Sequence, residues 1–186
     1  MSAKHPVIAV TGSSGAGTTT VKNAFEHIFF REKINPLVVE GDSFHKFDRA
    51  EMKEQIEVFA KQDKNLSHFG PDANHFDVLA DTFKAYGETG QCKRRYYLHS
   101  DEEAEEHNAR LSTSLTPGQF TPWEDIKEQS DLLFYEGLHG GASDDKSDVS
   151  KFVDLLVGVT PIVNLEWIQK IHRDNAQRGY SAEAIV

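Results

Sequence analysis

The chain has 186 residues and a formal net charge of −10. One domain with a sizeable core is therefore expected, and a broad nucleic-acid footprint, which needs a basic surface, is excluded. The single cysteine, Cys92, rules out an intrachain disulfide. With no apolar run long enough to span a membrane and no signal-peptide pattern, it points to a soluble, cytoplasmic protein.

Val7 to Val10 is an apolar run read as a buried strand. It leads into Gly12-Ser13-Ser14-Gly15-Ala16-Gly17-Thr18-Thr19-Thr20. The three glycines allow a tight loop whose backbone N–H groups point inward at a phosphate. A helix expected over Val21 to Glu32 adds the positive end of its dipole. The spacing matches G-x-x-x-x-G-K-[ST] at every fixed position except one: Thr18 stands where the pattern has Lys. Thr19 supplies the hydroxyl for Mg²⁺. Another cation must then cover the outer phosphates. Pro36 opens a second strand, Leu37 to Glu40, ended by Gly41, and the order strand, helix, strand suggests a right-handed crossover.

Ala50 to Gln62 reads as a helix, Asn65 to Asn74 as a loop, and His75 to Tyr86 as an amphipathic helix stopped by Gly87. Lys93 to His99 reads as a short strand. The acidic run Asp101 to His107 reads as a solvated loop or helix end. Leu132 to Tyr135 and Phe152 to Thr160 read as central parallel strands, with Gly140 to Ser150 a surface loop between them. Asn164 caps a last helix running through Arg178. The pattern is α/β, a single domain over 1–186, and ligands of such sheets bind at the carboxyl ends of the strands.

Glu40, Asp42 and Glu136 stand at or just past strand ends. Glu136 follows four apolar residues, the arrangement that holds Mg²⁺ directly or through water. A kinase acting on an alcohol needs a carboxylate to take the hydroxyl proton, and Asp42 suits that role, although an Asp there also suits a helix cap. Three basic clusters lie near strand ends and loops, and Arg suits phosphate through its bidentate fork. They are His45, Lys46, Arg49 and Lys53; Lys93, Arg94, Arg95 and His99; and Lys170, Arg173 and Arg178 with Asp174. Taken singly, each reads more readily as a solvated charged face. A basic helix carrying Lys170 can close over ATP and supply the cation that Thr18 does not. His139 follows Glu136 closely enough to reach a substrate, although a loop histidine is as often structural.

The segments 10–20, 40–49, 86–99, 133–140 and 164–180 resemble the bacterial phosphoribulokinase family, within the P-loop kinases that include uridine and pantothenate kinases. The runs FYEGLHG and NLEWIQKIHRD carry the resemblance more specifically than the phosphate loop does. It implies a three-layer α/β/α fold with a mainly parallel sheet, and transfer of phosphate from ATP, with Mg²⁺, to the C1 hydroxyl of ribulose 5-phosphate. It also implies Asp42 as base and Glu136 and Asp174 at the metal–nucleotide site or in catalysis. His45 and Arg49 contact the sugar phosphate, and Lys170, Arg173 and Arg178 support nucleotide, transition state or substrate; Lys53 and His99, from the basic clusters, and His139 are added as substrate-binding candidates from the sequence pattern alone. The metal set expected is Thr19, Glu136 and Asp42. Arg31 matches a position linked to control by NADH and AMP, and family members form homo-oligomers. Family chains continue beyond Tyr180 with further strands, so the chain is expected to lack these while keeping most of its nucleotide site, and to bind ATP–Mg²⁺ better than it catalyses. The alternatives left open are another pentose phosphate or a nucleoside as acceptor, or a nucleotide-binding chain without turnover.

Overall fold

The computed structural model describes residues 4–162, 167–172 and 175. Four parallel strands form its centre: β1 (Val7–Gly12), β2 (Pro36–Glu40), β5 (Leu132–Gly137) and β6 (Leu155–Val159). Their order is β2-β5-β1-β6. Because β5 lies between β2 and β1, Glu136 is abreast of both Glu40 and Val10. Neighbouring strands are about 4.8 Å apart, so two strand-end carboxylates and the entry to the glycine loop fall in one row.

Strand alternation assigns the two faces. Val10, Leu132 and Phe134 point toward α1 (Thr18–Glu32), where the Phe25 and Phe29 rings meet Phe134 at 5.1 and 5.3 Å. Val7, Ala9, Leu133 and Tyr135 point the other way, onto α3 (Phe76–Thr89), whose Phe83 meets Tyr135 edge-on at 5.3 Å. Such aromatic pairs add about 0.5–1.5 kcal/mol each beyond the area they bury. The result is the three-layer α/β/α arrangement that the resemblance implies.

Several boundaries differ from the sequence reading. Helix α1 begins at Thr18, immediately after Gly17, so all three threonines lie in its first turn. Helix α2 (Arg49–Ala60) starts from a complete capping box between Asp48 and Glu51. Gly87 does not stop α3; the helix runs to Thr89, and Gly90, at φ +74°, makes the left-handed cap. The acidic run is the start of α4 (Asp101–Leu111), where Ser100 caps the helix and three carboxylates complement the positive end of its dipole. Of the expected strand over 93–99 only Lys93 and Arg94 join a ladder, together with Cys92 before them (Cys92–Arg94). As β3 this segment pairs antiparallel with β4 (Glu124–Ile126). β6 is not central: among the described residues it pairs only with β1, and Leu155 and Leu156 are half-exposed. Phe152 belongs to a 3-10 turn (Val149–Phe152) ahead of it.

The exits of β2 and β5 approach each other so closely that glycine is required at both. A Cβ on Gly137 would stand 2.7 Å from the Gly41 Cα and 2.7 Å from the Tyr135 hydroxyl. Neither backbone nor buried ring can yield cheaply. Gly137→Ala is therefore expected to destabilise the fold by about 1–3 kcal/mol. The measurement is urea unfolding; an unchanged midpoint would show that the two turns can separate without cost.

Candidate active site

The phosphate loop closes through a hydrogen bond from Ala16 N–H to the Ser13 carbonyl, 2.9 Å, with Gly15 and Gly17 at φ +91° and +96°. Both values lie in the left-handed region that glycine alone adopts without strain. Gly17 caps α1 without any side-chain hydrogen bond, and the first turn of the helix holds no acidic residue. Its N–H groups thus keep their capacity for an anion. A Cβ on Gly17 would meet nothing within 4 Å, so the loop has an open side. The Thr11 hydroxyl donates to the Leu138 carbonyl at 2.7 Å and ties the loop to the segment after β5. A cleft of about 480 Å³ opens beside it, between the ends of β1 and β6.

Lys22, one turn beyond Thr18, donates to Glu40 Oε1 at 3.0 Å. Burial works to lower its ammonium. The charge and hydrogen bond of Glu40, with Glu136 behind them, outweigh burial and hold it above its ordinary value. A fixed cation therefore serves the acidic row. The sequence reading did not single it out; its signal was the i, i+4 spacing from Thr18, which places both on one side of the helix.

Asp42 lies on a 3-10 turn (Gly41–Phe44) at the exit of β2. Its two oxygens are each met by an imidazole: Oδ1 lies 3.4 Å from His45 Nε2, and Oδ2 lies 3.4 Å from His99 Nε2. The Asp42 side chain is 37% exposed, open enough to receive a hydroxyl. Tyr97 presents its ring edge-to-face to both histidines. For His45, burial favours the neutral form, but the Asp42 hydrogen bond and charge, with Asn74, raise its pKa above the ordinary value.

The turn under Asp42 is held by Arg95. Its guanidinium donates to the Ser43 carbonyl at 2.7 Å and to the His45 carbonyl at 2.6 Å, while the Ser43 hydroxyl donates back to the Arg95 carbonyl. The Arg95 plane lies over Phe120 and Trp123. Burial pushes its pKa down to about 10, against the pull of Glu51.

The other expected site residues divide by location. Arg49 and Lys53, at the start of α2, line a second cleft of about 210 Å³ with residues 116–119. Backbone bonds join Arg49 N–H to the Gly118 carbonyl and Gly118 N–H to the Leu98 carbonyl, so this cleft adjoins His99. His139 is 8% exposed, and its Nε2 donates to the Phe69 carbonyl at 3.0 Å. It is set inside rather than in the open group around Asp42. Lys170 stands in the helical residues 167–172 with its ammonium 5.2 Å over the Trp167 ring. Arg173, Asp174 and Arg178 lie outside the described residues.

Residues 7–186 match the family described as Phosphoribulokinase / Uridine kinase. The chain belongs to that family. Phosphoribulokinase 2 of Cereibacter sphaeroides is 51% identical over 186 residues, which cover 100% of this chain and 62% of the relative. The phosphoribulokinase of Nitrobacter vulgaris is 51% identical over 183 residues, covering 98% of this chain and 61% of the relative. The solved phosphoribulokinase from Rhodobacter spheroides superposes with a TM-score of 0.79 at 45% identity, over 98% of this chain and 60% of that one. The chain thus spans just over three fifths of the curated relatives it matches, and its fold is that of the P-loop kinases. No helix among the described residues is long and apolar enough to cross a membrane.

The histidines around the site give a pH expectation. Burial lowers the pKa of His68, His75 and His139 below 6.5. Each therefore contributes stability that is present above pH 6.5 and lost as pH falls through the lowered value, because the unfolded chain takes up the proton first. His45 is raised, so its contribution runs the other way, present below 6.5 and lost as pH rises. The lowered His139 therefore predicts a contribution to the urea midpoint that falls from about pH 7.5 to about pH 5.5. His139→Gln should shrink that fall; an equal fall in the variant would remove His139 as a contributor.

Proposed function

We propose that the chain carries the nucleotide and acceptor sites of an ATP-dependent phosphotransferase with an alcohol acceptor. The acceptor is D-ribulose 5-phosphate and the product ribulose 1,5-bisphosphate. The observation that carries the reading is the carboxylate of Asp42, flanked by two imidazoles at a strand exit in the same sheet as an open phosphate loop. About half-identity to proteins named phosphoribulokinase supports the acceptor.

The residues present fit ATP. The loop and the first turn of α1 offer N–H groups and an open side to the phosphates, and Lys22 supplies a positive charge close to Glu40 and Glu136. They also fit Mg²⁺, which takes one or two carboxylates together with phosphate oxygens and water. Thr19 and Glu136 would hold it. When bound, the ion neutralises charge building on the phosphate oxygens. Asp42 is assigned as the general base rather than a metal ligand, because its two oxygens already face His45 and His99. It takes the proton of the attacking C1 hydroxyl, and the histidines hold the carboxylate in place. Arg49 and Lys53, in the cleft beside His99, are assigned to the 5-phosphate, where a cationic pair suits a dianion. Lys170, Arg173, Asp174 and Arg178 keep their assignment to the nucleotide and the transition state, and His139 supports the acceptor side from within.

The test is phosphate transfer from ATP with ribulose 5-phosphate, ribose 5-phosphate and uridine compared as acceptors, with calorimetric binding of each run alongside. Selective binding and turnover of ribulose 5-phosphate is expected. Preference for uridine would move the chain to the nucleoside branch, and ATP binding with no acceptor bound would leave a nucleotide-binding chain.

A further inference from the structure

We infer that Asn74 is a positioning residue that fixes the His45 imidazole so that Nε2 faces Asp42. The inference rests on the role proposed above for Asp42. Asn74 is 2% exposed, the most deeply buried amide side chain at the site. Its Nδ2 donates to the carbonyls of His68 and Gly70, each at 2.8 Å. Carbonyls only accept, so the amide orientation is settled: Nδ2 faces the loop and Oδ1 faces His45 Nδ1 at 2.7 Å. An amide oxygen also only accepts, so His45 Nδ1 must carry a proton, and the hydrogen bond to Asp42 engages the second proton, on Nε2, of the imidazolium. The ring is thereby turned, and its other nitrogen is the one presented to Asp42.

The backbone makes this arrangement specific. His45 and Asn74 face each other in an antiparallel bridge, with Lys46 N–H bonded to the Ala73 carbonyl and His75 N–H to the Phe44 carbonyl. These bonds do not involve the Asn74 side chain. Losing the amide should therefore free the ring while the strands stay paired. The same loop holds the second histidine after β5, through the Phe69 carbonyl and His139. One loop thus orients two of the histidines assigned to the acceptor side.

Imidazole ¹⁵N spectra of the full chain test this directly. They are recorded at rising pH until the His45 ¹⁵N shifts no longer change, so that the ring is neutral even though Asp42 raises its pKa. The parent is expected to show His45 with its proton on Nδ1, exchanging more slowly than the proton of the exposed His27. Asn74→Ala should move His45 to the Nε2–H tautomer while the Lys46 and His75 amides stay at their parent positions. An unprotonated Nδ1 in the parent, or an Nδ1–H that survives Asn74→Ala, overturns the inference. Should that variant unfold, the parent alone decides: a His45 proton exchanging as fast as that of His27 overturns it.

Calorimetry with ribulose 5-phosphate gives a second arm. Asn74→Ala should weaken binding about tenfold, the loss of one oriented hydrogen-bonding group, with ATP–Mg²⁺ binding unchanged. In a His45→Ala background the same substitution should add no further loss, because the two act as one unit. Full additivity would mean that Asn74 only anchors the loop, and would overturn the inference. A parent that binds no ribulose 5-phosphate refutes the proposed acceptor, while the spectra still decide the role of Asn74.

Discussion

On the proposed function, Asp42→Asn is expected to lower turnover of ribulose 5-phosphate by about 10²–10⁴-fold, the range for loss of a positioned general base. The amide has nearly the same shape and can still accept a hydrogen bond through its oxygen, so the 3-10 turn should hold. It cannot take a proton at working pH. The position of Asp42 isolates the effect: it stands between His45 and His99 on the turn after β2, outside the phosphate loop. ATP–Mg²⁺ affinity should therefore stay within about twofold of the parent. The measurement pairs steady-state turnover with calorimetry on parent and variant. Turnover at the parent rate would remove Asp42 as the base. Equal losses of turnover and ATP affinity would place it instead at the metal.

The central strands were legible because both of their faces are covered. Leu132 to Tyr135 are all buried, and such a strand reads as an unbroken apolar run. A carboxylate directly after such a run is disfavoured in the core, so Glu40 and Glu136 were legible at the strand ends, with Asp42 two residues past Glu40. The β3–β4 pair was not. Each strand has three residues, and their register sets Lys93 against Asp125 and Arg94 against Glu124, with no apolar alternation to announce it. α4 was hidden by its own charge, since carboxylates that suggest a solvated loop are favourable in a helical first turn. Part of what ties it down is distant in sequence: Arg110 forms a two-pronged ion pair with Glu124 on β4, at 2.8 and 2.7 Å. Lys22 and Asn74 did not stand out for a related reason. Each matters through a partner, Glu40 or His45, that only the folded chain brings within reach.

The same distinction separates Arg95 from its neighbours and sets the second large effect. In sequence, Lys93, Arg94 and Arg95 are one basic run. In the fold, Lys93 is exposed beside Asp125, whereas Arg95 lies between two aromatic rings with its fork on the backbone that carries Asp42. Arg95→Met keeps much of the volume and removes the fork. The Ser43 and His45 carbonyls then lose charged donors, and each such loss costs about 1–3 kcal/mol where water cannot replace it. Burying the guanidinium is itself costly, and an apolar side chain recovers part of that. The net expectation is a loss of about 2–4 kcal/mol in urea unfolding. Turnover should fall further than stability alone requires. Asp42 sits within the released turn, and a displacement of about 1 Å at a reacting group costs about 10²-fold in rate. Arg95→Lys should fall between parent and Arg95→Met, because an ammonium keeps the charge but lacks the planar fork that reaches both carbonyls at once. A variant series in which Met and Lys both match the parent in urea midpoint and turnover would show that the turn holds Asp42 without Arg95.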